Sequence, residues 1–372
     1  MSGGTVFVSA GEPSGDAHAA AFVSALRRLE PDVTVEGVGG PALAAAGAAL
    51  MARIEDLTVI GLVEILKKVP AHLRLLKAIE RRLARGDVRL IVLVDYPGFH
   101  LRVAAAARRA GVPVLYYIAP QLWAWGERRV KRLARDVDRL AVILPFEERF
   151  FGERGVPATF VGHPLLDRHP RAPDRAEAKR ALALDPGRPV LGLFPGSRPQ
   201  ETARLWPAFR DAARLVAGQR RDIQFLVAAA DGASYPEPGE VRVVKGRAPE
   251  CFAAADAALC KSGTTTLEAA LADTPLVVAY RMNPLSYLMA RRLVRVPWIG
   301  LVNLVAGRNI APEFVQGAVT AVNLAHAVLP LLDGKAPERA AQLAGLAEVR
   351  RLLGGPGAAG RAAGLARDMI AA

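Results

Sequence analysis

Two short polar segments in the second half of the chain each connect a buried strand to a helix. The segment 196–198 (Gly-Ser-Arg) follows the apolar run 190–194, and the segment 262–268 (Ser-Gly-Thr-Thr-Thr-Leu-Glu) follows the apolar run 257–261. The first N–H groups of a helix have no partner within it and carry the positive end of the helix dipole, so such junctions bind anions. An arginine adds a planar donor that fits phosphate oxygens. These segments therefore predict a site for a nucleotide diphosphate.

A helix cap with a solvated arginine is the alternative interpretation of either segment taken alone. Two such turns within one α/β unit, however, converge at the carboxyl ends of neighbouring parallel strands, where open sheets bind their ligands. In that arrangement Glu268 lies on the first turns of the second helix, within reach of ribose hydroxyls. The pair of segments favours the nucleotide site over two unrelated caps.

Other polar residues have two interpretations from the sequence alone. Asp95 follows the apolar run 90–94, so it is either a general base at the edge of a parallel sheet or the cap of the next turn. The loop 11–16 (Gly-Glu-Pro-Ser-Gly-Asp) leads from a strand into a helix but lacks the Gly-Lys-Ser/Thr of a phosphate-binding P-loop, so a turn capped by Ser14 or Asp16 explains it. Asn303, between apolar residues, either binds a substrate or forms a turn.

Two basic segments raise the question of a lipid surface. The predicted helix 60–83 interleaves apolar and cationic residues, a pattern that fits either an interfacial helix or an ordinary helix packed on a sheet. The segment 128–139 carries six Arg and Lys residues on one predicted helix, which fits contact with anionic lipid or phosphate, or a solvated face.

Composition limits the class of protein. The chain has 372 residues, 52% of them hydrophobic and 6% aromatic, which fits two α/β domains rich in Ala, Leu and Val. Its formal net charge of +13 indicates an acidic partner, but no nucleic-acid-binding motif is present. Neither a signal peptide nor an apolar run of about 18 residues is found, so we expect a cytosolic protein unless it lies on a membrane.

The order of strands and helices predicts the domain organisation. Residues 1–168 form a first domain and residues 190–345 a second, each with the βαβ rhythm of a parallel sheet. The proline-rich segment 169–189 reads as the linker between them. The last segment, 346–372, is a C-terminal helix that we expect to pack back on the first domain.

Eleven motifs in order closely resemble lipid-A-disaccharide synthases over residues 5 to about 317. Each motif is weak alone, but the ordered set is specific. In chain order they are GEPSGD (11–16), GVGGP (37–41), GLVE (61–64), DYPGF (95–99), QLWAW (121–125), LPFE (144–147), GHP (162–164), PGSR (195–198), SGTTTLE (262–268), YRM (280–282) and NLVAGR (303–308).

The resemblance implies a GT-B fold, with two Rossmann-like domains facing each other across a cleft, and an inverting glycosyl transfer without a metal or another cofactor. The substrates would be UDP-2,3-diacylglucosamine and 2,3-diacylglucosamine 1-phosphate (lipid X), and the products lipid A disaccharide 1-phosphate and UDP. Asp95 matches the base that the family is proposed to use. The donor-binding residues would be Ser197, Arg198, Gly263, Thr264, Glu268 and Asn303.

The resemblance also gives the first domain a role in binding the acceptor and the membrane, and the second a role in binding the UDP-sugar donor. The loop residues Glu12, Ser14 and Asp16 would lie on the acceptor side, without individual roles. Because both substrates carry acyl chains, the resemblance favours an interfacial helix at 60–83 over a helix packed in the core.

The membrane-facing residues of that helix would be Leu62, Val63, Leu66, Lys67 and Lys68. We thus expect a cytoplasmic enzyme peripherally associated with the inner membrane, with no nucleic-acid partner. Whether it forms a homo-oligomer is open. A UDP-sugar epimerase or hydrolase of the same fold, or a non-enzymatic nucleotide-sugar sensor, is the alternative function.

Overall fold

A computed structural model describes residues 4–54, 62–126, 129–168, 174–294 and 296–372, and for residues 62–68 it describes the backbone alone. The chain divides into two compact units. The N-terminal unit comprises Met1–Asp167 and Gly354–Ala372, and the C-terminal unit comprises Arg168–Leu353.

The N-terminal unit is built on a sheet of seven parallel strands, in the order β3-β2-β1-β4-β5-β6-β7. Its strands are β1 (Thr5–Ala10), β2 (Thr34–Gly39), β3 (Ala49–Arg53), β4 (Val88–Val94), β5 (Val114–Tyr117), β6 (Arg139–Val142) and β7 (Ala158–Phe160). The central strands are buried on both faces, which explains why they read as continuous apolar runs.

Helices cover both faces of this sheet. They are α1 (Pro13–Leu29), α2 (Pro41–Ala45), α3 (Leu62–Leu83), α4 (Pro97–Arg109), α5 (Leu122–Trp125), α6 (Val130–Asp136), α7 (Pro145–Gly152) and α8 (Leu165–Arg168). One core joins the sheet to α3, α4 and α6, and the other joins it to α1. Proline stands in the first turn of α1, α4 and α7, where its missing N–H costs no hydrogen bond.

The C-terminal unit repeats this plan with six parallel strands in the order β10-β9-β8-β11-β12-β13. Its strands are β8 (Val190–Phe194), β9 (Gln224–Ala229), β10 (Val241–Lys245), β11 (Ala257–Lys261), β12 (Leu276–Tyr280) and β13 (Glu313–Val315). Its helices are α9 (Arg175–Ala181), α10 (Pro199–Gln219), α11 (Ala248–Ala254), α12 (Thr264–Leu271), α13 (Pro284–Leu293), α14 (Leu301–Ala306), α15 (Ala321–Val328) and α16 (Pro337–Leu352).

The chain ends with α17 (Ala358–Ala371), which belongs to the N-terminal unit. Its buried alanines Ala362, Ala363 and Ala366 lie in the same core as Phe22 of α1. Small side chains on one stripe allow the last helix to approach the sheet layer closely.

The segment 174–189 folds with the C-terminal unit. Its helix α9 is tied to the start of β11 because the Lys179 ammonium lies 2.8 Å from the carboxylate of Asp256. The Asp256 carboxylate also accepts a hydrogen bond from the N–H of Val190, 2.9 Å away. This ion pair between buried Lys179 and half-buried Asp256 joins α9 to the sheet next to the first residue of β8.

Candidate active site

Asp95 and Tyr96 follow β4 in a strained backbone conformation. Their φ angles are 53° and 54°, in the left-handed region that non-glycine residues rarely adopt. Each such residue costs on the order of 1 kcal/mol and persists only when surrounding contacts hold it. The N–H of Asp95 donates to the carbonyl of Tyr117 over 3.1 Å, which continues the β4–β5 ladder to the sheet's carboxyl edge. Strain of this kind is typical of a functional position.

A buried network holds the backbone of Asp95. Its carbonyl accepts hydrogen bonds from His100 Nδ1 at 2.6 Å and from the Tyr116 hydroxyl at 2.7 Å. Burial lowers the pKa of His100 to about 4, so the imidazole is neutral, Nδ1 carries its proton and Nε2 accepts from the Ser9 hydroxyl 2.9 Å away. Sequence reasoning missed this network. The signal that could have found it is a histidine five residues after the aspartate, on the helix that follows it.

The Asp95 carboxyl has the electrostatics of a base. Burial raises its pKa above the ordinary aspartate value, the Tyr96 N–H opposes this shift, and the negative charge of Glu12 raises the pKa further. A carboxylate with a raised pKa accepts a proton more readily. The half-buried Glu12, from the loop before α1, is therefore part of the same electrostatic site.

The other two residues of that loop lie in different surroundings. Asp16 is buried, and its carboxylate accepts hydrogen bonds from the N–H groups of Gly40 (2.6 Å), Ala42 (2.9 Å) and Leu43 (3.2 Å). It therefore caps α2 and fixes the turn after β2. Ser14 is exposed in the first turn of α1.

A second buried carboxyl lies near the same edge of the sheet. Glu147 of α7 accepts hydrogen bonds from Trp123 Nε1 at 2.9 Å and from the N–H groups of Leu144 (3.0 Å) and Ile143 (3.2 Å). Burial raises its pKa to about 7 despite these donors. Glu147 thus fixes the position of Trp123.

In the C-terminal unit, the turn between β8 and α10 requires glycine. Gly196 has φ of +133°, and a Cβ there would lie 2.6 Å from Glu201 Oε2. Glu201 also lies 2.9 Å from the Lys261 ammonium, at the end of the neighbouring strand β11. Ser197 and Arg198 are exposed at the start of α10. The backbone therefore remains accessible at the positive end of this helix.

The second turn, between β11 and α12, is anchored by its own hydroxyl groups. Gly263 has φ of +125°, and its carbonyl accepts a hydrogen bond from the Thr266 hydroxyl over 2.9 Å. The Ser262 hydroxyl donates to the Ile299 carbonyl over 2.6 Å. These bonds leave Thr264 exposed at the beginning of α12.

A cavity of about 400 Å³ lies beside these two turns. Of the predicted donor-binding residues, it contains Ser197 and Glu268. Burial raises the pKa of Glu268, and the positive charge of Arg168 opposes this. The remaining lining comes mainly from segments that the sequence did not single out: Phe194, Gly196, Ala228, Ala229, Ala230, Asp231, Gly246, Ala248, Pro249, Phe252 and Thr265.

Some of the cavity residues that the sequence analysis missed follow a recognisable sequence pattern. The strand β10 is followed by Gly246, by Ala248 and Pro249 at the start of α11, and by Phe252, which is a third strand-to-helix junction at the same edge. The rings of Phe194 and Phe252 stack 3.7 Å apart at 4°.

Asn303, which the resemblance places among the donor-binding residues, is not among the residues that line this cavity. Its side chain is fully buried. Its amide nitrogen donates to the Ala311 carbonyl at 2.8 Å and to the Glu313 carboxylate at 2.7 Å, and its oxygen accepts from the N–H groups of Ile310 and Ala311. With its donors and acceptor used inside the protein, it holds the loop before β13 in place.

The predicted membrane-facing side chains of 62, 63, 66, 67 and 68 lie outside the described side chains, although their backbone belongs to α3. Further along α3, Val69 and Leu73 are described and are 41% and 44% exposed, respectively. No helix in the described part of the chain is long and apolar enough to cross a lipid bilayer.

Comparison with known proteins identifies the family. The family model of lipid-A-disaccharide synthetase matches residues 6–353. The chain is 46% identical over 364 residues to the lipid-A-disaccharide synthase of Anaeromyxobacter sp. strain K, an alignment that covers 95% of this chain and 94% of the relative. The chain belongs to the lipid-A-disaccharide synthase family. It is therefore a glycosyltransferase of lipid A disaccharide synthesis that uses a UDP-sugar.

Two further relatives agree with this family assignment. The lipid-A-disaccharide synthase of Myxococcus xanthus is 42% identical over 367 residues, covering 96% of this chain and 95% of the relative. That of Geobacter metallireducens is 40% identical over 373 residues, covering 98% and 97%.

Solved structures confirm that this chain has the GT-B fold. The calicheamicin glycosyltransferase CalG4 superposes with a TM-score of 0.64 at 17% identity, covering 100% of this chain and 99% of that chain. The UDP-GlcNAc 2-epimerase of Neisseria meningitidis, solved with UDP-GlcNAc bound, has a TM-score of 0.62 at 12% identity, covering 99% and 98%. At such low identities the likeness concerns the fold alone.

Proposed function

We propose that the enzyme condenses UDP-2,3-diacylglucosamine with 2,3-diacylglucosamine 1-phosphate, with Asp95 as the general base. The Asp95 carboxylate takes the proton of the acceptor's 6-hydroxyl while that oxygen attacks the anomeric carbon of the donor and the bond to UDP breaks. The configuration inverts, and no covalent enzyme intermediate forms. The observation that carries this role is the strained, half-buried position of Asp95 with its raised pKa.

The network behind Asp95 serves as its support in this proposal. Because His100 and Tyr116 donate to the backbone carbonyl of Asp95, they leave its carboxylate available for the acceptor. Their burial keeps His100 neutral and Tyr116 protonated, so both remain donors across the physiological pH range. Glu12 increases the basicity of the carboxylate from the acceptor side.

The donor's diphosphate is assigned to the starts of α10 and α12, with Ser197, Arg198, Gly263 and Thr264 as its contacts. Glycine at positions 196 and 263 lets the backbone approach the phosphates closely, and Arg198 stabilises the charge that builds up on the departing UDP. The half-buried Glu268 carboxylate in the cavity wall accepts hydrogen bonds from ribose hydroxyls. Asn303 supports this site from behind rather than touching the donor.

We further propose that the enzyme works at the cytoplasmic surface of the inner membrane, where its acylated substrates reside. The exposed Val69 and Leu73 support this location, since a protein surface that faces water rarely presents large apolar side chains on neighbouring turns of a basic helix. The net charge of +13 adds attraction to anionic lipid headgroups.

The test is the reaction itself. Purified enzyme is incubated with UDP-2,3-diacylglucosamine in detergent, with and without the phosphorylated acceptor, and both UDP and disaccharide are measured by mass spectrometry. Disaccharide that forms only with both substrates supports the proposal. Release of UDP without the acceptor would instead indicate a hydrolase or epimerase activity, and UDP binding without turnover would indicate a sensor.

A further inference from the structure

A groove rich in arginine runs between α4 and α6 in the N-terminal unit, outside the site described above. The cavity measures about 560 Å³. Its lining residues are Leu76, Pro97, Gly98, Leu101, Arg102, Ala105, Arg109, Arg129, Arg132, Arg135 and Asp136. The sequence pattern 128–139 already indicated a basic surface here, but α6 spans only Val130–Asp136, and α4 supplies the opposite wall.

Positive charge dominates this groove. Five guanidinium groups line it together with one carboxylate, that of Asp136, which is buried and forms two 2.7 Å hydrogen bonds with Arg135. Arg109 is paired with Glu80 at 2.7 Å. In the described part of the chain, Arg102 and Arg132 form no ion pair or side-chain hydrogen bond, so one exposed cation on each wall remains uncompensated. Facing arginines suit the oxygens of a phosphate group.

The groove begins next to the proposed base. Pro97 and Gly98, which line it, follow Asp95 by two and three residues. Arg102 lies five residues beyond Pro97 on α4, about 7.5 Å along the helix axis. An acceptor that presents one hydroxyl to Asp95 and extends along α4 would therefore reach Arg102.

An apolar stripe adjoins the charged walls. Leu76 of α3 lines the groove, and it follows the exposed Val69 and Leu73 at spacings of seven and three residues, which places all three on one face of the helix. Leu101 and Ala105 add apolar surface from α4. The occupant that fits charged walls beside an apolar stripe is a phosphorylated lipid.

We infer that this groove binds the phosphate group of the acceptor lipid, and that Arg102 and Arg132 select a phosphorylated acceptor. The inference rests on the proposed function, because it takes the acceptor hydroxyl to lie at Asp95. A headgroup of a membrane phospholipid would offer similar chemistry, but the groove's position directly after Asp95 favours the reacting lipid.

Variants at the two uncompensated arginines test this inference. Arg102→Ala and Arg132→Ala are compared with Arg108→Ala and Lys131→Ala, which remove the same charge from exposed positions on the same helices without lining the cavity. Binding of the phosphorylated acceptor and of its dephosphorylated form is measured calorimetrically in detergent micelles. We expect each groove variant to weaken binding of the phosphorylated lipid by about 10- to 100-fold and to leave the dephosphorylated lipid unchanged.

Three results would reject the inference: equal losses for both lipids, equal losses in the control variants, or no loss at all. Sedimentation with vesicles of phosphatidylglycerol in phosphatidylcholine separates the two lipid sources. If groove variants lose vesicle binding but still distinguish the two acceptor forms, the site belongs to membrane phospholipid. Because binding is measured directly, enzyme that forms no disaccharide yet binds the phosphorylated lipid through these arginines would reject the reaction and retain the groove.

Discussion

Replacing Asn303 by alanine separates a structural role from contact with the donor. The substitution removes a buried amide whose nitrogen and oxygen serve Ala311, Glu313 and Ile310. Each buried polar group left without a partner costs roughly 1–3 kcal/mol. Partial relaxation of the loop makes the total loss smaller than the sum over these groups. We expect a loss of about 3–4 kcal/mol in the stability of the C-terminal unit, which for a unit of this size lowers its melting temperature by roughly 6–16 °C.

The assay is thermal unfolding followed by circular dichroism, together with UDP binding measured well below the melting temperature. Folded N303A should still bind UDP with little change in affinity. The control is Asn323→Ala, since Asn323 is an exposed asparagine of the same unit, and its loss should stay within about 0.5 kcal/mol. An unchanged melting temperature combined with a large loss of UDP affinity would refute the structural role and restore the direct contact.

A second variant guards against failure of N303A to fold. Asn303→Asp keeps the shape of the side chain but places a carboxylate beside Glu313 Oε1, which lies 2.7 Å from the present amide nitrogen. Two carboxylates at that distance hold a shared proton more tightly than either alone, so the stability deficit should shrink as the pH is lowered. A deficit that does not depend on pH would contradict this arrangement.

Three further outcomes are expected from single changes. Asp95→Asn should lower kcat by about 10²–10⁴-fold without affecting UDP binding, and a fully active variant would remove the base assignment. Because the pKa of the wild-type carboxyl is raised, the acid limb of the wild-type pH–rate profile should lie above the ordinary pKa of aspartate. Glu147→Gln should abolish a pH dependence of the free energy of unfolding. Because the folded-state pKa of Glu147 is raised to about 7, the wild-type protein is stabilised at low pH and loses up to about 3 kcal/mol as the pH rises towards 7. Parallel curves of stability against pH for the two proteins would disprove this. Gly196→Ala should weaken UDP binding, because the φ of +133° at Gly196 and the 2.6 Å distance from its Cβ position to Glu201 Oε2 exclude a Cβ. The control, Gly218→Ala, lies at the exposed end of α10 with nothing near its Cβ position and should not change UDP binding. Calorimetric titration with UDP measures both affinities.

Local sequence was sufficient for the two parallel sheets. Strands buried on both faces, such as β8 and β11, are continuous apolar runs, and the runs 190–194 and 257–261 match their bounds in the structure. The short strands β3, β7 and β13 were not predicted, because they lie at or near sheet edges, are only partly buried and lack such a run.

Sequence also determined where chemistry could occur. A carboxylate after β4 and glycine turns after β8 and β11 had to lie at the carboxyl edges of their sheets once the strands were parallel. The ordered motifs were then specific enough to indicate the family, which the family model and the relatives confirm.

Only the tertiary structure decided what each polar residue touches. Asp16 and Asn303 are as polar as Asp95 in the sequence, yet in the structure both side chains are buried and bond to backbone groups, 24 to 27 residues away for Asp16 and seven and eight residues away for Asn303. The hydrogen bond between Ser9 and His100, which supports Asp95 from behind, spans 91 residues and has no local pattern. Likewise, the arginines of α4 and α6 form a groove only because two helices separated in sequence pack side by side on one face of the sheet.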